Sequence, residues 1–461
     1  MDENLDLLQQ KQHEKMTKAP VGKLLLKLSV PTIISMMVTS VYNMADTYFV
    51  SQLGTSAAGA VGIVFSLMAI IQAVGFTLGM GAGSINSRLL GQKEYKKANE
   101  TGSTAFFTAL FFGILLSVFG LVFIDDLMIL LGSTKTILPF AKDYAMYILL
   151  GAPMMCASFV MNNLLRCQGK AVLSMIGLGC GGIINIFLDP IFIYVFKLGI
   201  KGAAIATLIS QAISFLILLF MYISKRSIIS INIKNISRKF SVYINIIKTG
   251  LPSFCRQGLA SISTVALNVN AAVYGDAAVA AMSIVGRVFM FIVSVMIGFG
   301  QGYQPVVGYN YGAGEFKRVK KAFNFSFKIG FIVLTTLGII GFIFAPQIIG
   351  AFRADDAEVI KIGALAFRAQ CIALPLQPMI VLCNMTFQVI GMSWQATFLS
   401  SARQGIFFVP LIMILPLFLG VFGIQITQCI ADVLTFLFSV IFFISFMRKL
   451  NDKIAVAEKS L

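Results

Sequence analysis

A chain of 461 residues that is 58% hydrophobic and 12% charged, with a mean hydropathy of +0.88, is too apolar to be a soluble globule of its length. Its formal charge of +17 falls between apolar runs rather than along one basic face, which argues against nucleic acid as a partner and reads as membrane topology. Seven single cysteines without C-x-x-C spacing and one histidine, His13, exclude a disulfide framework, a thiolate zinc site and a membrane metallohydrolase.

The first 23 residues are charged and lack an apolar core segment, so no cleaved signal peptide is expected and the first span itself would insert. Twelve apolar runs follow, near 24–50, 57–82, 101–124, 139–165, 171–196, 202–224, 250–274, 277–302, 322–345, 359–390, 394–418 and 424–447. Each is long enough to cross a hydrocarbon layer about 30 Å thick as a helix. The first holds Pro31 and, toward its far end, Asp46; a basic loop covers 82–100; the fourth holds Asn162. The fifth carries Gly177 and Gly181 in G-x-x-x-G spacing, which suits close helix packing. Asn185 and Asp189 follow on one helical face, one turn apart, and Pro190 comes next, removing a backbone donor and bending the helix. Thr207 lies in the sixth span. The expected organisation is a tail 1–23, a lobe 24–224, a basic linker 225–249, a second lobe 250–447 and a tail 448–461.

Basic residues set the orientation. With both termini in the cytoplasm, twenty-six of the 36 Lys and Arg lie inside, including Arg166 and Lys170. Six lie outside (Lys135, Lys142, Lys197, Lys201, Arg353, Lys361), and four fall within spans: Arg256, Arg287, Arg368 and Arg403. That bias supports an even helix count with both ends inside.

The halves repeat. At a shift of 221, Pro31 pairs with Pro252, Gly54 with Gly275, Gly79 with Gly300, Gly81 with Gly302 and Gly91 with Gly312; at 222, Asn162 pairs with Asn384 and Gly169 with Gly391. Two six-helix lobes of like orientation follow, a parallel repeat about an axis along the membrane normal, with a cavity expected between them. The repeat is also an internal control. Asp46 pairs with Leu267, Asn185 with Phe407 and Asp189 with Leu411, so folding a lobe does not require the polar group.

An acid at mid-bilayer costs roughly 2.5–3.5 kcal/mol on insertion scales, so it persists where it faces a wet cavity and handles ions or substrate. Asp46, Asp189 and Asp432 are the three such acids. Asp46 and Asp189 can approach one chamber in the first lobe, where two carboxylates at low dielectric would tend to hold one proton between them. One of the arginines within the spans is expected to pair with Asp432, and Arg256 to snorkel toward the cytoplasm.

These residues carry a resemblance. The chain resembles the multidrug and toxic compound extrusion (MATE) transporters over nearly its whole length, in the bacterial drug-efflux branch with an acidic N-lobe site. The match rests on D-T-Y-F-V-S-Q-L-G (46–54), N-x-x-x-D-P (185–190), G-A-A-I-A-T (202–207), M-N-N-L-L-R-C-Q-G (161–169) and Pro31 fifteen residues before Asp46. It implies an all-α, V-shaped membrane fold of two lobes and no cofactor, and a monomer is the default for a fold that encloses its own cavity. It also implies a cavity lined by Asp46, Asn185, Asp189, Thr207 and Asn162, with a bend of the first helix at Pro31 that responds to protonation. Another branch, taken as sodium-coupled, has acids on the seventh and tenth spans; here those spans show Arg256, Gln257 and Ala260, then Met379, Asn384 and Gln388. Proton coupling is therefore expected, with sodium at the Asp46 and Asp189 cluster left open, since such oxygens also suit a hard cation.

The cargo expected from the acids is amphipathic cations, received by some of the 41 Phe and 22 Met. The main rival is a lipid-linked oligosaccharide flippase of related fold, which would want a cationic cavity for phosphate. A major-facilitator carrier lacks its loop signature in 82–100, an intramembrane enzyme lacks a nucleophile or metal ligands, and a channel lacks a charge ring or filter segment.

Overall fold

The computed structural model describes residues 2–352 and 356–459. Arg353, counted above with the outside basic residues, lies outside the described residues, as do Met1, Ser460 and Leu461 of the two tails. No strand occurs among the described residues.

In the first half the helices are α1 (Asp2–Lys18), α2 (Val21–Ser51), α3 (Thr55–Gly91), α4 (Tyr95–Val122), α5 (Ile124–Leu130), α6 (Leu138–Cys167), α7 (Ala171–Pro190) and α8 (Ile200–Ile223). The second half runs α9 (Phe240–Ala272), α10 (Asp276–Gly312), α11 (Phe316–Ile343), α12 (Ala345–Gly350), α13 (Ala357–Ala373), α14 (Gln377–Ile390), α15 (Ser393–Ser401), α16 (Phe408–Leu419) and α17 (Val421–Lys459). Among the described residues, eleven segments are long and apolar enough to cross a membrane. The twelfth expected span is present as α9, but Lys248, Arg256 and its Ser, Gln and Asn residues keep it below that apolar level.

Several helices outrun their apolar cores. The predicted loop 82–100 shrinks to a turn between α3 and α4, with Lys93 at φ 62, and α9 starts at Phe240, inside the predicted linker, because Ile246 gives that stretch a buried face. The rest of the linker is laid along α4: Ser230 N donates to Asn99 Oδ1 at 2.9 Å, and Ser237 N to Thr104 Oγ1 at 2.9 Å.

Two lobes result. In the first, α3 and α4 pack on α6, α6 and α7 on α8, and α2 on α7; in the second, α10 packs on α13 and α14, α13 and α16 on α17, and α9 on α15. The second helix of each lobe starts after a glycine with positive φ, Gly54 (115) and Gly275 (95), a conformation that side chains resist. Proline divides the lobes' fourth spans differently. Pro153 passes through an unbroken α6, whereas its counterpart Pro375, with Pro378 close behind, sits in the 3-10 turn between α13 and α14.

The lobes meet by crossed packing of α2 on α10 and α3 on α9. Thr32 Oγ1 donates to Gly298 O at 2.6 Å and Ser29 Oγ to Phe299 O at 3.1 Å. A Cβ on Gly91 would lie 2.1 Å from Tyr309 O, and one on Gly312 would lie 2.2 Å from Arg88 O. Arg88 and Tyr309 are themselves a pair at shift 221, so this contact is reciprocal about the repeat axis. Both ends of the chain share this face. Gln12 on α1 reaches Gln168 O at 2.6 Å, His13 Nδ1 lies 3.2 Å from Tyr309 Oη, and Asn310 donates to Met16 O at 3.1 Å. At the other end, Lys453 Nζ donates to Tyr311 Oη at 2.8 Å.

Candidate functional site

Where the crossed contacts end, on the side away from the termini, lie a buried polar cluster and a cavity. The cluster is inside the first lobe. Close approach of α7 to its neighbours builds it: Ser214 Oγ donates to Gly177 O at 2.6 Å, and a Cβ on Gly181 would sit 2.9 Å from Ser214 Cβ. Gly182 in turn lets α2 come near at Val38 and Tyr42. The G-x-x-x-G spacing thus works in helix packing, as its sequence suggested.

That packing brings Asp46, Asn185, Asp189 and Thr207 together, all buried. Asn185 Nδ2 lies 3.3 Å from both Asp189 Oδ1 and Thr207 Oγ1, and Tyr144 Oη donates to Asp46 Oδ2 at 3.2 Å. The two carboxyl groups are within electrostatic range of each other and of the hydroxyls of Tyr42 and Tyr144. Asp46 Oδ1, Asn185 Oδ1 and Asp189 Oδ2 are buried and bonded to nothing, and neither carboxylate has an ion-pair partner among the described residues. Directly after Asp189, Pro190 ends the α-helical run and Ile191–Val195 continues as a π turn, the departure from regularity expected of that proline. Pro31 lies buried inside α2.

Asn162 stands apart from the cluster. It is buried, but its Nδ2 donates to Ser174 O at 2.9 Å and it makes no hydrogen bond to the cluster. Its counterpart Asn384 donates to Ala396 O at 2.7 Å, the same bond one repeat later. A residue kept in both lobes with the same bond ties the fourth span to the fifth. Tyr42 and Tyr144 were missed, although the same internal comparison flags them: their counterparts are Ser263 and Ala366.

The cavity lies between the lobes and measures about 450 Å³. Met36, Met155, Met290, Met385, Phe76 and Phe159 supply much of its apolar lining, as the methionine and phenylalanine content suggested. Asp46 and Asp189 do not line it. Tyr42 does, and therefore stands between the cavity and the acidic cluster. The opposite wall carries Arg256, Arg287 and Arg403.

Arg403 meets the expectation of an arginine partner for Asp432, whereas Arg256 and Arg166 depart from theirs. Arg403 is the partner of Asp432, Nε to Oδ1 at 2.8 Å, and Gln377 and Gln428 complete the carboxylate at 2.6 and 3.0 Å. The helix starts at Ile200 and Val421 align Asp432 with Gln211, one turn beyond Thr207. Arg368 bonds Phe342 O at 3.1 Å and lies over the Phe342 ring. Arg256 does not snorkel to the terminal face but lines the cavity. Arg166 is not a loop charge either: it is buried in the last turn of α6 and joined to Asn163 and to Gln301 of the other lobe.

The model of the MatE family matches this chain twice, over residues 31–191 and 252–414, one match in each lobe at the spacing of the internal repeat. The chain belongs to the MatE family. It is similar to the multidrug export protein MepA of Staphylococcus aureus (strain MRSA252), at 28% identity over 90% of this chain and 92% of that protein. Among solved structures, the outward-facing conformation of a multidrug resistance MATE transporter of the MOP superfamily superposes with a TM-score of 0.90, at 27% identity over 95% of this chain and 98% of that one. A MATE structure in the straight conformation gives the same TM-score, identity and coverage. The two-lobe, multi-pass membrane architecture read from the repeat is therefore that of a transporter family with bacterial drug-exporting relatives.

Proposed function

We propose that this chain is a secondary active multidrug efflux transporter of the bacterial cytoplasmic membrane that exchanges its cargo for protons at Asp46 and Asp189. The observation that carries the coupling step is the set of three partnerless buried oxygens on Asp46, Asn185 and Asp189. Carboxylates side by side without a cation hold a proton readily and lose it when water reaches them. Asn185, Thr207 and Tyr144 orient the pair, Pro31 is the hinge at which α2 responds, and sodium on the same oxygens remains the variant of this reading. Among the described residues no group of three His, Cys, Asp or Glu side chains is placed to hold a metal.

In this reading the lobes are 24–224 and 250–447, joined by 225–249, and they rock about the reciprocal Gly91 and Gly312 contact. Tails 1–23 and 448–461 lie in the cytoplasm, where the excess of Lys and Arg falls. The arrangement then has its cavity on the outer side. Attraction of amphipathic cations to the acids would act through Tyr42 and Asn43, since the acids themselves stand behind the cavity wall. The flippase reading gains Arg256, Arg287 and Arg403 on that wall but not Arg368, and the MepA likeness favours drug export over it.

Uptake of ethidium into everted vesicles, whose outer face is the cytoplasmic one, tests the proposal, with an inside-acid proton gradient imposed and sodium omitted. Asp46→Asn and Asp189→Asn should each slow it by about tenfold or more, while Asp143→Asn, a half-buried acid paired with Lys201, should keep it. Transport at the native rate by both first variants overturns proton exchange at this site; a requirement for sodium changes the coupling ion alone.

A further inference from the structure

The cavity carries a charge imbalance that proton exchange does not use. Its second-lobe wall presents Arg256, Arg287 and Arg403, and no Asp or Glu lines it. Arg403 is matched by Asp432. Arg256 and Arg287 have neither hydrogen bond nor ion pair among the described residues, and Arg256 has a further cation, Arg166, within electrostatic range. Arg166 is bonded only to neutral partners. Cations at this depth are costly unless something of opposite charge completes them.

The repeat supplies the control. At shift 221, Arg256 corresponds to Ser35 and Arg287 to Ser66; at 222, Arg403 corresponds to Gly181 and Arg166 to Gln388. Neither lobe needs a cation at these positions to fold. The asymmetry of acids in the first lobe is thus mirrored by an asymmetry of arginines facing the cavity.

We propose that Arg256 and Arg287 form an anion subsite, which takes the carboxylate, sulfonate or phosphate of an amphipathic cargo whose apolar body lies on the methionine and phenylalanine side chains opposite. Guanidinium groups suit such oxyanions because their donors form a planar fork. Gln257 and Gln404 on the same wall add neutral amide donors beside them. This deepens the efflux reading and rests on the interlobe cavity being the cargo site, but not on protons being the coupling ion. Cargo selected here carries an anionic group, with or without an amine that the first lobe's acids could attract.

Equilibrium binding to the full chain in phosphatidylcholine nanodiscs tests it, with tritiated taurocholate as the amphipathic sulfonate and ethidium as the cationic reference. The Arg256→Gln/Arg287→Gln double variant should lower the ratio of taurocholate to ethidium affinity by at least about tenfold, and Arg256→Lys/Arg287→Lys should hold it within about threefold. Displacement of taurocholate by phosphatidate added to the nanodisc identifies a lipid headgroup as the natural anion; no displacement identifies a free amphiphile. An unchanged ratio in the Gln pair, equal losses in the Gln and Lys pairs, or no taurocholate binding by the native chain each overturns the proposal. The measurement uses no gradient, so it stands or falls separately from exchange at Asp46 and Asp189.

Discussion

Asn162 and Asp189 are both buried polar residues of the first lobe, and comparison across the repeat separates their roles. Asn162 makes a backbone bond that Asn384 repeats in the second lobe, so Asn162→Ala and Asn384→Ala should each destabilise the protein by about 0.5–1.5 kcal/mol for that bond, with a larger loss for Asn384, which also donates to Ser400 Oγ at 2.7 Å. Thermal unfolding in detergent checks this, and a smaller loss for Asn384→Ala would break the account. Asp189 is aligned with Leu411 and has no ion-pair partner among the described residues, so folding a lobe does not account for it. Asp432 is the opposite case, an acid fully enclosed by Arg403, Gln377 and Gln428. Arg403→Leu should cost about 3–5 kcal/mol by leaving a buried charge alone, and Arg403→Leu/Asp432→Leu should recover most of it. If the double variant unfolds as early as the single one, the pair is not what makes the first change costly.

At the scale of elements, the fifth span of each lobe is broken by a π turn, at Ile191–Val195 in the first and at Ala402–Ile406 in the second. The turns fall at different heights, one after Asp189 and one around Arg403, each beside its lobe's buried acid or base. The terminal helix α1 is a second element with a testable property. It bridges the lobes through Gln168 and Tyr309, and His13 within it is held below its usual 6.5 by burial first and then by the nearby Lys93. A depressed histidine binds its proton more readily when undocked, so its contribution to docking is full above 6.5 and falls away as pH drops through the lowered value. Amide exchange in α1 should therefore rise on acidification beyond the intrinsic rate, and His13→Gln should flatten that rise. A slope that survives His13→Gln assigns the effect to other groups.

For the molecule as a whole, the closure between lobes rests on backbones in contact, which leaves no room for a methyl group. Gly91→Ala and Gly312→Ala would each drive a Cβ into a carbonyl of the facing helix and should destabilise this closed face by about 1–3 kcal/mol, whereas Gly258→Ala, with open space around it, should be neutral or slightly stabilising. Equal melting temperatures for all three would mean the helices can separate at no cost. The double lobe and its parallel repeat were legible from sequence, because hydrophobic length and a fixed repeat offset act along the chain and need no knowledge of neighbours; the same offset singled out Asp46, Asn185 and Asp189, which the fold brings together with Thr207. Tyr144 and Tyr42 escaped because tyrosine in an apolar span looks like packing until the partner of its hydroxyl is known. That Asn162 bonds a backbone carbonyl was illegible for the converse reason, since any sequence supplies such a partner. What the sequence alone determined was the repeat of two apolar lobes and the presence of Asp46 and Asp189 in the first where the second has leucine. Only the tertiary structure decided that the acids stand behind Tyr42 rather than on the cavity wall, that Arg403 rather than another arginine meets Asp432, and that Arg256 and Arg287 face an open cavity. Those outcomes depend on how helices rotate about their own axes when close-packed, and rotation is set by contacts between residues hundreds of positions apart.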